Sequence, residues 1–384
     1  MKNWKKMMSA ALTAAMTVTM LAGCGGGETE KGSSDTIKIG GIGPVTGDAA
    51  IYGEAVKNGA ELAVKEINEA GGINGAQIEF NFQDDEADAE KAVNAYNTLK
   101  DWGMQALLGT VTSAPCVAVG EVAQADNMFL LTPSGTAVEC VQYDNAFSDP
   151  MQGAESAKYI ADNQLATKIA VIYNSSDVYS TGIYQAFAKE AETEGLEIVA
   201  AEAFTAESKT DFSVQLQKAK DAGAELVFLP FYYSEAALVL QQAAGINYSP
   251  IFFGCDGMDG ILDVEGFDAD LANNLMFLSP FTPTSTDEAI QKFVTDYKEA
   301  YSGTPNQFAA DAYDGVYAMK AAMEKAEVTP DMSASDICYV LKGAMTEITI
   351  SGVTAKELTW EASGEPSKAP MVVKIADGDY AVVE

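Results

Sequence analysis

Along the chain, short apolar runs alternate with longer stretches whose apolar positions recur at helical spacing. An apolar run bounded by turn residues reads as a buried strand, and a longer amphipathic stretch as a helix. On that pattern Thr36 to Gly43 is predicted as a strand and Glu54 to Ala70 as a helix stopped by Gly71-Gly72. Strand Ile78 to Gln83, helix Ala87 to Asp101, strand Ala106 to Gly109, helix Pro115 to Ala125 and strand Phe129 to Thr132 follow. The rhythm restarts after Asp149-Pro150: helix Gln152 to Asn163, strand Lys168 to Tyr173, helix Thr181 to Glu194 and strand Leu196 to Ala203. Helix Asp211 to Ala222, strand Leu226 to Pro230, helix Glu235 to Ala244 and strand Pro250 to Gly254 complete this second series. Beyond Pro280 the pattern is helical over Asp287 to Tyr301, Ala309 to Lys325 and Ser335 to Lys342. Strand-like Glu357 to Trp360, Met371 to Ile375 and Tyr380 to Val383 close the chain. Alternating strands and helices imply an α/β protein, with parallel sheets covered by helices on both faces. Two such series imply two doubly wound lobes.

The first residues stand outside this rhythm. Lys2, Lys5 and Lys6 precede an uncharged run from Met7 to Leu21, and Leu21-Ala22-Gly23-Cys24 places small residues before a cysteine. This is the pattern of a secretion signal over residues 1–23. Its ending resembles the bacterial lipoprotein lipobox, which implies cleavage before Cys24 and diacylation of the Cys24 thiol. The alternatives are a plain signal peptide or a membrane span. A span needs about 20 apolar residues, and this run is shorter and interrupted by Ser and Thr. The polar, unpatterned residues 24–35 are expected to be a flexible tether.

Composition narrows the chemistry. The chain carries 23 basic and 56 acidic residues, a formal net charge of −33, and such a surface repels nucleic acid. There is no histidine, which removes the commonest general base and metal ligand. There is no arginine either, so any acidic group on a ligand must be held by hydroxyls, backbone N–H groups or lysine. No catalytic nucleophile-and-base pair, metal site or cofactor motif is visible, and the chain is expected not to be an enzyme. Beyond Cys24, the cysteines at 116, 140, 255 and 338 permit three full pairings. Cys116 with Cys140 is the pair to test, because both flank one predicted βαβ segment; free buried thiols are the alternative.

Two further patterns invite chemistry and do not sustain it. Gly40-Gly41-Ile42-Gly43-Pro44 follows a strand, but the third glycine of a dinucleotide fingerprint is replaced by Thr46, and Pro44 removes a donor from the phosphate cradle. A turn from strand to helix is the better reading. The acidic groups Asp84-Asp85-Glu86 and Asp256 with Asp259 lack the spacing of a calcium loop and are read as solvated turns.

The longer passage from Gly43-Pro44-Val45-Thr46-Gly47 through Tyr52-Gly53 to Ala70-Gly71-Gly72-Ile73-Asn74-Gly75 is more specific. Asp84-Asp85, Gly109 to Ser113, Thr132-Pro133-Ser134-Gly135-Thr136, Tyr179-Ser180-Thr181-Gly182 and Lys209-Thr210-Asp211-Phe212 follow in order. Leu358-Thr359-Trp360 and Gly364-Glu365-Pro366 come near the end. Together they resemble the branched-chain amino-acid-binding proteins, solute receptors of ABC importers, over about Thr36 to Glu384. The resemblance implies a type I periplasmic-binding-protein fold, with two lobes joined by three crossovers and ligand between them. It divides the chain into 36–148 with 281–369 as one lobe and 149–280 with 370–384 as the other.

The resemblance also implies the site. Ser113, Ser134 and Thr136 match positions that hold an amino acid's α-carboxylate through hydroxyls and backbone N–H groups. Asp256 matches the carboxylate that meets the α-ammonium, glutamate in some members. Tyr179 and Tyr232 match contacts to the ligand's backbone, and Tyr52 matches an aromatic beside its side chain. Phe231, Tyr233 and Cys255 are candidates for the remaining wall. Singly, each Ser or Thr could instead be a helix cap or turn, Asp256 a turn aspartate, and each tyrosine ordinary packing. The implied function is an extracytoplasmic, lipid-anchored, monomeric receptor. It would deliver a neutral amino acid, branched-chain or otherwise aliphatic, to an ABC permease in the membrane. An amide, an aromatic acid or a short peptide as ligand, or service as a sensor subunit, are alternatives on the same fold. An extracellular hydrolase is the alternative from another class.

Overall fold

The structure is a computed structural model and describes residues 35–141, 146–147, 152–273, 275–368 and 371–383. The expected leader, Cys24 and all of the tether but its last residue lie outside the described residues.

The first sheet is built from β1 (Thr36–Gly43), β2 (Gln77–Asp84), β3 (Ala106–Gly109), β4 (Leu130–Leu131) and β5 (Ala146–Phe147), in the order β2-β1-β3-β4-β5, all parallel. The second is built from β6 (Lys168–Asn174), β7 (Glu197–Phe204), β8 (Leu226–Leu229), β9 (Ile251–Gly254), β10 (Leu275–Ser279), β11 (Met371–Ala376) and β12 (Asp379–Val382). Its order is β12-β11-β10-β9-β8-β6-β7, parallel except for the terminal hairpin, which runs antiparallel to β10. Central β3 and β8 are buried at every residue, which is why Ala-Leu-Leu-Gly and Leu-Val-Phe-Leu read as continuous apolar runs.

Helices α1 (Ala50–Glu69), α2 (Ala89–Trp102) and α3 (Ser113–Asp126) connect the first sheet. Helices α4 (Gln152–Asp162), α5 (Val178–Glu194), α6 (Ser213–Asp221) and α7 (Tyr233–Gly245) serve the second, and α8 (Glu288–Tyr301), α9 (Gln307–Lys325) and α10 (Ala334–Met345) follow β10. Local chemistry sets their ends. Asp88 accepts the Lys91 N–H at 2.9 Å to open α2, Asn306 accepts the Ala309 N–H at 3.2 Å to open α9, and left-handed Gly103 (φ 92°) closes α2. The chain passes from the first sheet to the second after β5. It returns when α8 and α9 pack on α1, and crosses a third time to add β11. A Cβ on Gly59 would run into the Ala309 carbonyl, so this glycine permits the close contact of α1 with α9.

Most predicted elements are found within a few residues of their expected ends. Three differences have physical causes. Strand β10 was not predicted: Leu-Met-Phe-Leu-Ser follows short 3₁₀ turns, with no helix to announce it. Glu357 to Trp360 forms only isolated bridges, Ile350 with Leu358 and Trp360 with Pro366, because this segment pairs with itself and joins neither sheet. The glycines of β1 serve packing: a Cβ at Gly40, Gly41 or Gly43 would strike Met104, Phe82 or Val111.

Candidate functional site

In each sheet the chain order reverses at one place, between β1 and β3 in the first and between β6 and β8 in the second. Open α/β sheets bind ligands outside the carboxyl ends of their strands at such points. A cavity of about 220 Å³ lies there, between loops of both sheets. Tyr52, Ser113, Ser134, Tyr179, Tyr232 and Asp256 line it, six of the seven expected ligand residues, together with Val111, Thr112, Gly257 and Phe308. A larger space of about 1,250 Å³ lies open on the surface between α1 and α8, lined by residues of both charges, and receives loops from neither sheet.

The wall from the first sheet is made of alcohols and amides. Ser113 is the first residue of α3, and Thr112 before it is extended (φ −95°, ψ 151°) and makes no side-chain cap bond. The Ser113 hydroxyl accepts the N–H groups of Thr136 at 3.2 Å and Ala137 at 3.3 Å, which occupies its lone pairs and leaves its proton to donate. Ser134 donates to the Val111 carbonyl at 2.8 Å, and Thr132 donates to the Thr110 carbonyl at 2.6 Å while accepting the Gly135 N–H at 2.8 Å. The loops after β3 and β4 are thus tied before any ligand arrives. Two hydroxyls on this wall, Thr112 Oγ1 and Thr136 Oγ1, are buried without a hydrogen-bond partner among the described residues.

The wall from the second sheet is charged. Asp256 follows β9 and is 6 % exposed. Its Oδ1 accepts the Tyr179 hydroxyl at 2.6 Å and the Gly257 N–H at 2.8 Å, and its own N–H donates to Gln152 Oε1 at 2.7 Å. Burial pushes the hydroxyls of Tyr52, Tyr179 and Tyr232 well above the ordinary phenol range, and the nearby Asp256 charge adds to the effect. All three stay protonated as donors. Their rings form one aromatic surface: Tyr179 stacks on Tyr232 at 4.9 Å, and Tyr52 meets Phe308 at 4.3 Å between centroids.

The walls also touch. Tyr52, from α1, donates to the Gly257 carbonyl at 2.6 Å and accepts the Tyr233 N–H at 3.2 Å. Gln307, at the start of α9, donates its side chain to the Asp256 carbonyl at 2.9 Å and its N–H to Asp259 Oδ2 at 2.8 Å.

Several expectations are corrected. Thr136 does not line the cavity but braces Ser113 from behind. Phe231 packs against Phe204 and Phe212 in the core, Cys255 faces Ser156 at 3.8 Å, and Tyr233 reaches the site only through its N–H and an edge contact with Tyr52. Asp85, Asp256 and Asp259 are buried and not solvated. Burial raises the Asp85 carboxyl to about 7 and that of Asp259 to about 6. Cys116 and Cys140, the pair to test, stand here as buried thiols, both close to Gly135. Phe308, Thr112 and Gln307 were not expected. Phe308 and Gln307 come from a helix outside both strand-helix series, and Thr112 could have been found from its place between β3 and α3.

The sequence profile of the periplasmic binding protein family matches residues 36–379. The leucine-, isoleucine-, valine-, threonine- and alanine-binding protein of Pseudomonas aeruginosa is 30 % identical over 309 residues, covering 79 % of this chain and 82 % of the relative. The solved branched-chain amino acid transporter substrate-binding protein LivJ of Streptococcus pneumoniae, in complex with isoleucine, is 29 % identical at a TM-score of 0.81, covering 91 % of this chain and 99 % of that one. A solute-binding protein of an ABC transporter from R. palustris, in complex with benzoate, shares the fold at a TM-score of 0.79 and 19 % identity, with 91 % and 95 % coverage. With the type I two-lobe architecture already evident in its strand order, this chain belongs to the periplasmic binding proteins that serve ABC transporters as extracytoplasmic solute receptors.

Proposed function

We propose that this protein captures a neutral amino acid, branched-chain or otherwise aliphatic, as the zwitterion. It then hands the ligand to a membrane permease while held to the outer face of the cytoplasmic membrane by lipid on Cys24. The observation that carries the reading is the opposition of the two walls. A buried carboxylate, Asp256, stands across one small cavity from the first turn of α3 and the donor hydroxyl of Ser113. A buried charge is tolerated where it meets an opposite charge and hydrogen bonds, and hydrogen bonds to a charged acceptor are about twice as strong as neutral ones. An α-ammonium and an α-carboxylate separated by one carbon meet both needs. The aromatic rings of Tyr52, Tyr232 and Phe308 suit an apolar side chain.

Capture would proceed by closure of a lobe formed by 36–148 and 281–369 on one formed by 149–280 and 370–384, because a ligand touched by both lobes favours the state in which both touch it. A benzoate-like acid would bring no cation to Asp256, which disfavours that reading here. Isothermal titration of the purified protein against the twenty amino acids tests the proposal. Binding is expected for leucine, isoleucine or valine, and heat from none of the twenty would refute it.

A further inference from the structure

The thiols of Cys116 and Cys140 lie directly beneath the alcohol-and-amide wall. Cys116 is in the first turn of α3, three residues after Ser113, and Cys140 is in the 3₁₀ turn Val138–Val141, just after Thr136 and Ala137. Both are fully buried. Gly135 leaves the space they share: a Cβ built there would stand 3.1 Å from Cys140 Sγ and 3.2 Å from Cys116 Sγ. The Cys140 sulfur also lies 4.0 Å from the Ser113 carbonyl. The same two segments are joined on the cavity side by the bonds from Thr136 and Ala137 to Ser113. The other cysteines are elsewhere, Cys255 beside Ser156 and Cys338 in α10.

We propose that Cys116 and Cys140 form a redox-active pair whose disulfide staples α3 to the loop after β4 and so fixes the wall of the ligand site. In an extracytoplasmic compartment disulfides persist. A Cys thiolate attacks the S–S bond of a disulfide oxidant, such as oxidised glutathione or a thiol–disulfide oxidoreductase, giving a mixed disulfide and releasing one thiol. The second Cys thiolate then displaces the other half. Two protons and two electrons leave the pair, one S–S bond forms, and the oxidant's S–S bond becomes two thiols. Exchange occurs before the thiols are buried or during local opening, since the folded wall excludes the oxidant.

The staple does not depend on which solute is bound, so its test uses none. The full chain, carrying Cys24→Ser to keep that thiol out of the exchange, is refolded in oxidised and in reduced glutathione. It is then denatured, alkylated and peptide-mapped. The oxidised sample should yield one linked pair, Cys116 with Cys140, with Cys255 and Cys338 alkylated. It should melt about 5 °C above the reduced sample. Hydrogen exchange at the Thr136 and Ala137 amides should be about tenfold slower when oxidised. Cys116→Ala and Cys140→Ala should each abolish both redox differences. Alkylation of both residues after oxidative refolding, or either one linked to Cys255 or Cys338, would overturn the pairing. A linked pair with unchanged melting and amide exchange would overturn the staple.

Discussion

The two walls of the cavity solve opposite problems. The first-sheet wall holds no charged side chain among its lining residues Tyr52, Val111, Thr112, Ser113 and Ser134. It is organised by short local bonds between neighbouring loops, so its donors point inward at no cost when a ligand arrives. The second-sheet wall is organised around one buried charge, with Tyr179, the Gly257 N–H and Gln152 arranged about Asp256. In a chain with no arginine, the proposed function assigns the neutral wall to the anionic end of a zwitterion and the Asp256 carboxylate to its cationic end. On that proposal each end would be weak without the other, and closure would depend on the whole ligand.

The largest effect should come from removing the charge. Asp256→Asn keeps an oxygen for Tyr179 and Gly257 but leaves an ammonium unpaired. Leucine affinity by titration calorimetry should fall roughly 100- to 1,000-fold. The informative contrast is 4-methylpentanoate, which is leucine without its ammonium. Wild type should prefer leucine strongly, and Asp256→Asn should close that gap. If the variant still prefers leucine by the wild-type margin, the charged wall lies elsewhere.

The neutral wall should respond more gently. Ser113→Ala removes one hydroxyl that accepts from Thr136 and Ala137 and that, on the proposed function, would donate to the ligand's carboxylate. Such a bond to a charged acceptor is worth about 1.5–3 kcal/mol, or roughly 10- to 100-fold in affinity. The loss should shrink for leucinamide, which has no carboxylate. An equal loss for leucine and leucinamide would mean that Ser113 only shapes the loop.

The two walls differ also in how far the sequence displays them. The neutral wall is legible because the family resemblance marks Ser113 and Ser134, which also follow the buried strands β3 and β4 within a few residues. Asp256 is legible for the same reason, following Ile-Phe-Phe-Gly. The bridging parts are hidden. Gln307 and Phe308 open a helix whose spacing signals only a packed face, and their place at the site comes from α9 lying along α1, which is set by long-range contact. Thr136, two residues beyond Ser134, gives its N–H to Ser113 and does not line the cavity. The buried acids are misread from the sequence because aspartates in turns usually face water. Only the tertiary fold shows Asp259 met by the Gln307 N–H and the Tyr380 hydroxyl.

That misreading leads to the smallest expected effect on binding. Asp259 lies behind the charged wall, is fully buried and lines no part of the cavity. Burial raises its carboxyl to about 6, partly offset by the Gln307 N–H. A carboxyl raised above its unfolded value holds a proton in the folded state that the unfolded chain has lost. Its contribution to stability is therefore present below about pH 4 and is lost as pH rises through about 6. Asp259→Asn should make the stability-versus-pH slope between pH 4 and 6 less negative, by at most about 1.4 kcal/mol per pH unit, as read from urea midpoints at each pH. Asp177, also raised by burial to about 6, would leave part of the slope in place. Leucine affinity at pH 7.5 should change by no more than about threefold, because the Gln307 N–H can bond the amide oxygen of asparagine as it bonds the carboxylate. A large loss of affinity with an unchanged slope would make Asp259, and not Asp256, the acid that meets the ligand. The division between a charged and a neutral wall would then have to be redrawn around α9.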